Sequence, residues 1–151
     1  MAEKKTKKAS KKKVIKPDGL TIAGKRKTAI AKATIKAGTG KVMINHKLLE
    51  NFPRLRKLYV MEPLRIAEGI LKDELNKFDI SVNVKGGGME SQIEASRLAI
   101  GRVLVGFTGN TELKNAFLNY DRSILVADVR RKEMRKPGDS KARKRRQTSY
   151  R

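Results

Sequence analysis

The stretch that decides the fold is FDISVNVKGGGMESQIEASRLAIGRVL, residues 78–104. Its first part alternates apolar and polar residues, which predicts a strand with one buried face formed by Ile80, Val82 and Val84. Three glycines end this strand. Ser91 and Glu94 then have the spacing of a capping box, which predicts a helix to about residue 107. Its apolar stripe would consist of Ile93, Ile100, Val103, Leu104 and Phe107.

The segment before it, TIAGKRKTAIAKATIK (residues 21–36), also alternates. Its pattern predicts one half-buried strand, preceded by a possible earlier strand. The buried face would hold Ala29, Ala31, Ala33 and Ile35, and the outer face Ile30, Lys32, Thr34 and Lys36. AGTG at residues 37–40 is typical of a hairpin loop, so KVMINHK is predicted to return as a second strand beside the first.

Helices are expected in two further places. Residues 48–60 are interpreted as helical or irregular, with a break at Pro53. A better helix is predicted from Glu62 to about residue 77, with Pro63 at the permitted first position and a stripe of Leu64, Ala67, Leu71 and Leu75. ELKNAFLNY is predicted to form a short helix. The order of elements indicates a small two-layer α/β (α+β) domain with its helices on one face of the sheet.

The charge is unevenly distributed along the chain. It has 37 lysines and arginines against 15 acidic residues, a formal net charge of +22 over 151 residues. Residues 1–19 carry a net +6, residues 20–129 a net +7 and residues 130–151 a net +9. We therefore predict a lysine-rich N-terminal extension (1–19), a globular α/β domain that binds RNA (20–129) and a basic C-terminal tail (130–151), with both ends disordered in the free protein.

Charge of this size favours a polyanionic partner, and nucleic acid is the first candidate. An anionic membrane is the rival, but no amphipathic basic helix with an aromatic face accompanies the lysines, so no membrane partner is expected. The chain has no Cys, which excludes disulfides and thiolate chemistry and fits a reducing compartment. The basic start is followed by no apolar segment typical of a signal peptide, so a cytoplasmic location is expected.

Three glycine-containing segments are candidates for a nucleotide site. In GTGK (38–41) and GKRKT (24–28), the lysine after the glycine is followed by Val42 and Arg26, where a P-loop needs Ser or Thr. GGGMES (86–91) does not have G-x-G-x-x-G spacing. It could instead be a tight connection between strand and helix, or a place where bare backbone amides approach an RNA phosphate.

Catalytic groups are few. His46 is the only histidine, and it has no nucleophile or metal ligand at a recognisable spacing. Acidic residues mostly stand one helical turn from a base, as Glu68 and Lys72 do, which is typical of solvated ion pairs. We therefore expect no catalytic residue, no metal, no cofactor and no small-molecule substrate.

The candidate RNA contacts lie in the first strand, the glycine loop, the helix after it and the tail. Aromatic residues are too few for base stacking on the sheet, so contacts to phosphates and grooves are expected. The candidates are Arg26, Lys27, Lys32, Lys36, Gly86, Gly87, Gly88, Arg97, Arg130, Arg131, Lys136, Lys141, Arg143, Lys144, Arg145 and Arg146.

Three separated segments together resemble a known family: GKRKTAIAKATIKAGTGKVMINHKLLENF, the stretch quoted first, and DVRRKEMRKPGDSKARKRRQTSYR. In this order they are similar to ribosomal protein number nine of the small subunit. The resemblance runs from about residue 21 to residue 151, and the SYR ending resembles archaeal and eukaryotic members.

The resemblance implies a fold like the second domain of ribosomal protein number five, with a left-handed β-α-β crossover. It also implies a place in the head of the small subunit, among neighbouring ribosomal proteins and bound to the small-subunit rRNA. The tail would reach the peptidyl-site tRNA, with Ser149, Tyr150 and Arg151 at the anticodon stem-loop.

Two other functions remain open on the sequence. A histone-like DNA-binding protein would also carry lysine arms. A phosphotransferase could use residues 86–88, although the glycine-rich phosphate motif of kinases with this fold is missing.

Overall fold

The computed structural model describes residues 19–135, 137, 141–143 and 149–150. Within these ranges the chain forms a mixed α+β domain, in which one face of a five-stranded sheet is covered by helices. The strands are β1 (Leu20–Arg26), β2 (Ala29–Ala37), β3 (Val42–Ile44), β4 (Lys47–Leu48) and β5 (Phe78–Lys85), and the helices are α1 (Arg54–Leu71), α2 (Met89–Thr108) and α3 (Thr111–Tyr120).

The sheet has the order β1-β2-β5-β3-β4. All neighbours are antiparallel except β3 and β5, which run parallel and are joined through α1. The short β3 is held to β5 by an additional side chain, because Asn45 accepts a hydrogen bond from Val84 N (2.7 Å) and donates one to Val84 O (3.2 Å). The left-handed crossover stays a prediction.

The core lies between the sheet and α2, which packs across β1, β2 and β5. Small residues permit this close packing. Ala29, Ala31 and Ala33 are fully buried on β2, and a Cβ on Gly24 of β1 would lie 2.5 Å from the carbonyl oxygen of Ala95. A helix can approach a sheet this closely only where large side chains are absent.

Several predicted features are confirmed. The strand at residues 78–85 buries Ile80, Val82 and Val84, and the helix after it reaches Thr108. The short helix is α3. On β2, the alanine face and Ile35 are buried while Lys32 and Lys36 are exposed, as the alternation predicted.

Two strand predictions were wrong. Residues 21–36 do not form one strand, because the chain turns at Lys27, whose φ is 52°, and pairs β1 with β2. Residues 37–40 do not close a hairpin either. They cross the start of β5, so that β3 pairs with β5 on the side away from β2. The alternation of apolar and polar residues along a strand is the same whichever strand lies beside it. The pattern therefore does not show which strands are neighbours in the sheet.

Two helix boundaries were also wrong. The helix predicted to begin at Glu62 begins at Arg54 and ends at Leu71, so Pro63 lies inside it, and residues 72–77 form a 3₁₀ turn. The cap of α2 is Gly88, three residues before the predicted one. Ser91 accepts a hydrogen bond from Gly88 N (2.9 Å) and donates one to Gly88 O (2.8 Å), so it closes the first turn from inside the helix.

In the part of the chain that the structure describes, no helix is long and apolar enough to cross a membrane. The three predicted domain boundaries stay predictions.

Candidate nucleic-acid interface

The uncovered face of the sheet carries lysines around one exposed apolar residue. Register places Lys25 of β1 and Lys85 of β5 on either side of Ile30 of β2, which is 43% exposed. Lys32 lies one step further along β2, opposite Asn83. Ile30, Lys32, Asn83 and Lys85 line a shallow depression of about 310 Å³. We call Lys25, Lys32 and Lys85 the outer-face lysines.

None of the outer-face lysines forms an ion pair with any residue of the described ranges. Adjacent strands lie about 4.8 Å apart, so Lys25 and Lys85 are held about 10 Å from each other across β2. This surface therefore presents uncompensated positive charge from a rigid support, which suits contact with a phosphate backbone.

Two more of the predicted contacts extend this surface in opposite directions. Lys27 is exposed at the tip of the β1–β2 turn, beyond Lys25. Lys36 is exposed at the far end of β2, where its partner across the strands is Asp79. The charge is thus denser at the end of the sheet that holds Lys27 and Lys85.

The glycine loop lies at this same end. Gly86 and Gly87 have φ of 75° and 69°, and both are packed against the β1–β2 turn. A Cβ on Gly86 would lie 2.7 Å from Thr28 O, and one on Gly87 would lie 2.8 Å from Ala29 Cβ. These glycines are therefore required by the tight connection itself. A Cβ on Gly88 would meet nothing within 4 Å in the described structure, and RNA contact by the loop stays a prediction.

In the other glycine segment, residues 38–41, backbone amides are hydrogen-bonded to a carboxylate of the protein itself. Asp79 Oδ1 accepts hydrogen bonds from the backbone amides of Lys41 (2.9 Å) and Thr39 (2.8 Å). These two bonds hold the pKa of the Asp79 carboxyl below its usual range, and the bond from Lys41 has the larger effect. Amides that could cradle a phosphate are thus already satisfied by a carboxylate.

Arg26 has a different role from the lysines beside it. It points to the helix side of β1, where its guanidinium binds Glu94 of α2 and Asp128. The hydrogen bond that Arg26 donates to Glu94 is the main reason that the pKa of Arg26 is raised. Its side chain is only 21% exposed, so Arg26 ties the sheet, α2 and the segment after α3 together.

Asp128 fixes the start of the tail. Besides Arg26, it accepts hydrogen bonds from the backbone N of Arg130 (2.8 Å) and from Arg130 Nε (2.9 Å). The bonds from Arg130, and secondarily that from Arg26, hold the pKa of the Asp128 carboxyl far below its usual range. Arg130 itself is 85% exposed, so its charge remains available at the root of the tail.

Arg97 is buried, unlike the exposed lysines of the sheet. It is 9% exposed, and its Nη2 lies 2.9 Å from Asp121 Oδ2 and 2.6 Å from Glu62 Oε2. The Glu62 contact is an ion pair by distance without hydrogen-bond geometry, since Glu62 Oε2 has no hydrogen-bond partner in the described structure. Ser123 Oγ accepts from Arg97 Nη1 at 2.9 Å. This geometry gives Arg97 a structural role and leaves little of its guanidinium exposed for contact with RNA.

A cavity of about 540 Å³ opens beside these ion pairs. Its lining includes Tyr59 of α1 and Tyr120 of α3, which are 51% and 61% exposed. The guanidinium of Arg97 lies 5.9 Å from the centre of the Tyr59 ring. The sequence reasoning missed this cavity, because α1, α3 and residues 121–130 are brought together only by the tertiary fold.

The predicted tail contacts are partly described. Residues 129–135 have no regular secondary structure, and Arg131 is exposed. Arg143 forms an exposed pair with Glu133, with Nε 2.9 Å from Oε2. Lys141, Ser149 and Tyr150 are exposed, Tyr150 by 95%. Lys136, Lys144, Arg145, Arg146 and Arg151 lie outside the described residues.

Catalytic chemistry gains no support from these positions. His46 is exposed in the two-residue turn between β3 and β4, where its φ is 63°. The described residues contain no group of His, Asp and Glu arranged to hold a metal ion.

Comparison with known proteins identifies one family. Residues 24–151 match the family described as ribosomal protein S9/S16. The small ribosomal subunit protein uS9 of Methanococcus maripaludis is 50% identical over 131 residues, which cover 85% of this chain and 95% of that one. The protein of the same name from Thermoplasma acidophilum is 48% identical over 133 residues, covering 87% of this chain and all of that one.

These matches identify a ribosomal protein. The chain belongs to the ribosomal protein S9/S16 family. The resemblance drawn from the sequence is thereby confirmed, and the two relatives come from archaea, in agreement with the SYR ending.

Proposed function

We propose that this protein is a structural component of the small ribosomal subunit, where it binds rRNA in the head and contacts the peptidyl-site tRNA through its tail. The observation that carries this proposal is the set of outer-face lysines, which stand on a rigid sheet with no acidic partner in the described ranges. A globular domain keeps such charge exposed at a cost in self-repulsion, and an RNA backbone removes that cost.

The sheet surface would bind rRNA through phosphates. Lys25, Lys32 and Lys85 contact the backbone, with Lys27 and Arg130 extending the contact beyond the end of the sheet. Ile30 supplies the small apolar area on which a sugar can rest. Such contacts fix the orientation of the protein on a folded RNA without reading its sequence.

The tail would continue this contact away from the body. Asp128 and Arg26 fix the point and direction at which the tail leaves the domain. Beyond it, the basic residues act as counter-charge along a path through rRNA. The proposed contacts of the tail are Arg131, Lys136, Lys141, Arg143, Lys144, Arg145 and Arg146.

The last three residues would touch tRNA. Ser149 offers a hydroxyl, Tyr150 a ring, and Arg151 a planar guanidinium that matches a phosphate. This contact would steady the anticodon stem-loop through its backbone. The protein would act without catalysis or cofactor, beside neighbouring ribosomal proteins, in the cytoplasm.

Sedimentation tests this assignment most simply. In a magnesium-containing gradient of cell lysate, the protein should migrate with small subunits. Ribonuclease, and not deoxyribonuclease, should release it. The opposite response to the two nucleases would contradict the proposal and favour the histone-like alternative.

A truncation tests the tRNA contact. Small subunits carrying a protein that lacks residues 149–151 should assemble normally and release peptidyl-site tRNA faster. The loss should be about 1–3 kcal/mol if one charge-assisted hydrogen bond dominates. Equal dissociation rates for truncated and intact subunits would leave the tail as an rRNA contact alone.

A further inference from the structure

We propose that the cavity between α1, α3 and residues 121–130 binds an unpaired nucleobase of the RNA, stacked against Tyr59 and Tyr120. This inference rests on the proposed RNA-binding function. It assigns a second, chemically different contact on the helix side of the domain, with Lys25 as the one outer-face lysine that also belongs to the cavity lining.

Aromatic side chains are concentrated at this cavity. The chain has only three tyrosines and no tryptophan. Two of the three line this one cavity, and both are more than half exposed. Exposed rings in a cavity are the usual platform for a base that has left its helix, since every base has a face on which to stack.

The charges around the cavity are balanced. Four basic and four acidic side chains line the cavity. Arg26, Arg97 and Arg130 are all paired with carboxylates, as described above. A site for a phosphate would have excess positive charge, and a site for a lysine or arginine side chain would have excess negative charge. A balanced wall with donors and acceptors suits a neutral ligand with both on its edge, which describes a nucleobase.

The size of the cavity and its surroundings also suit a nucleotide. A volume of about 540 Å³ lies within the range of small-ligand sites, about 300–1,000 Å³. Lys25 also belongs to the lining, and it forms no ion pair with any described residue. It stands where the phosphate attached to an inserted base could be held, so the nucleotide would meet both kinds of contact at once.

The proposal is tested on the full chain bound to small-subunit rRNA, with two probes. Hydroxyl radicals report the backbone footprint, and base-specific reagents report the accessibility of unpaired bases. The wild-type protein should protect at least one unpaired base within its footprint. Replacing both rings, Tyr59→Ala with Tyr120→Ala, should restore the reactivity of that base, leave the rest of the footprint in place, and weaken binding about tenfold.

Matched variants separate stacking from loss of folding. The Tyr59→Phe with Tyr120→Phe variant keeps the rings and should keep the protection. Leu118→Ala removes an exposed side chain, 40% accessible, from α3 outside the cavity and should have no effect. Thermal unfolding of each variant is measured alongside. An abasic nucleotide at the protected position should weaken wild-type binding as much as the double Ala variant does, and the two losses should not add.

The outcomes that overturn the proposal are distinct from failure of the proposed function. If the double Ala variant gives a normal hydroxyl-radical footprint and no base becomes reactive, the base site is refuted while the proposed RNA-binding function stands. The base site is also refuted if the double Ala variant leaves base reactivity unchanged but a neighbouring protein is lost from reconstituted subunits. That result would identify a protein as the occupant of the cavity. Absence of any footprint from the wild-type protein overturns both proposals.

Discussion

Replacing Arg97 by Met should destabilise the domain without removing a phosphate contact. Arg97 is 9% exposed and holds Asp121 of the segment after α3, Glu62 of α1 and Ser123 from its place on α2. Methionine fills similar space but leaves two carboxylates without their counter-charge. The variant therefore separates a structural arginine from one that binds RNA.

The magnitude follows from the contacts. Breaking a fully buried ion pair costs about 3–5 kcal/mol. Here the side chains of Glu62 and Asp121 are 29% and 38% exposed, so both ion pairs are only partly buried, which reduces the cost. The free energy of unfolding should fall by about 2–3 kcal/mol. For a domain of this size, the melting temperature should fall by about 8–12 °C.

Circular dichroism gives the stability, and the salt dependence of rRNA binding gives the number of phosphate contacts. The slope of log K against log salt should be the same for Arg97→Met and wild type at a temperature where both are folded. Arg65→Met is the control, because Arg65 is exposed on α1 and has no ion pair within the described residues. Unchanged stability together with a smaller slope would refute the structural role.

Three further variants test the local geometry. Gly24→Val should prevent α2 from docking, because its Cβ would lie 2.5 Å from Ala95 O; a cooperative thermal transition at the wild-type temperature would disprove this. Gly87→Ala should lower the melting temperature more than Gly88→Ala, since only Gly87 has a positive φ and close neighbours, and Gly87→Val should assemble poorly into subunits. Asp79 stabilises the fold above its unfolded pKa of 3.8, and this contribution is lost as the pH falls through its lower folded pKa. In urea unfolding, Asp79→Asn should therefore be less stable than wild type at pH 6 and lose less stability on acidification; parallel pH profiles would contradict this.

The sequence pattern was sufficient to predict a helix or strand where that element is determined by its own residues. The alternation at residues 78–85 and the helical spacing after it predicted β5 and α2 because each pattern matches only one period. Of the two roles considered for the glycines between them, the structure shows the tight connection at Gly86 and Gly87, and the RNA contact stays a prediction. Pro63 misled the prediction of α1, since proline favours the first turn but is tolerated inside a helix that tertiary packing supports.

Pairings between distant residues could not be predicted. The partners of Arg26 lie 68 and 102 residues away in the chain. Nothing in the sequence around Arg26 separates it from Lys25 or Lys27, yet the fold turns Arg26 inward and leaves the two lysines outside. The tyrosine-lined cavity depends in the same way on the contact of α1 with α3, for which no local pattern exists.

The most direct test of the outer-face lysines measures how salt weakens binding to small-subunit rRNA. Replacing Lys25, Lys32 and Lys85 by Gln should lower the slope of log K against log salt by about two to three units, at about 0.7–0.9 per lost phosphate contact. The charge-matched control replaces Arg65, Lys72 and Lys114, which are exposed on the helix side, and should leave the slope unchanged. Equal slopes for the two variants would contradict the assignment of the uncovered sheet face to rRNA.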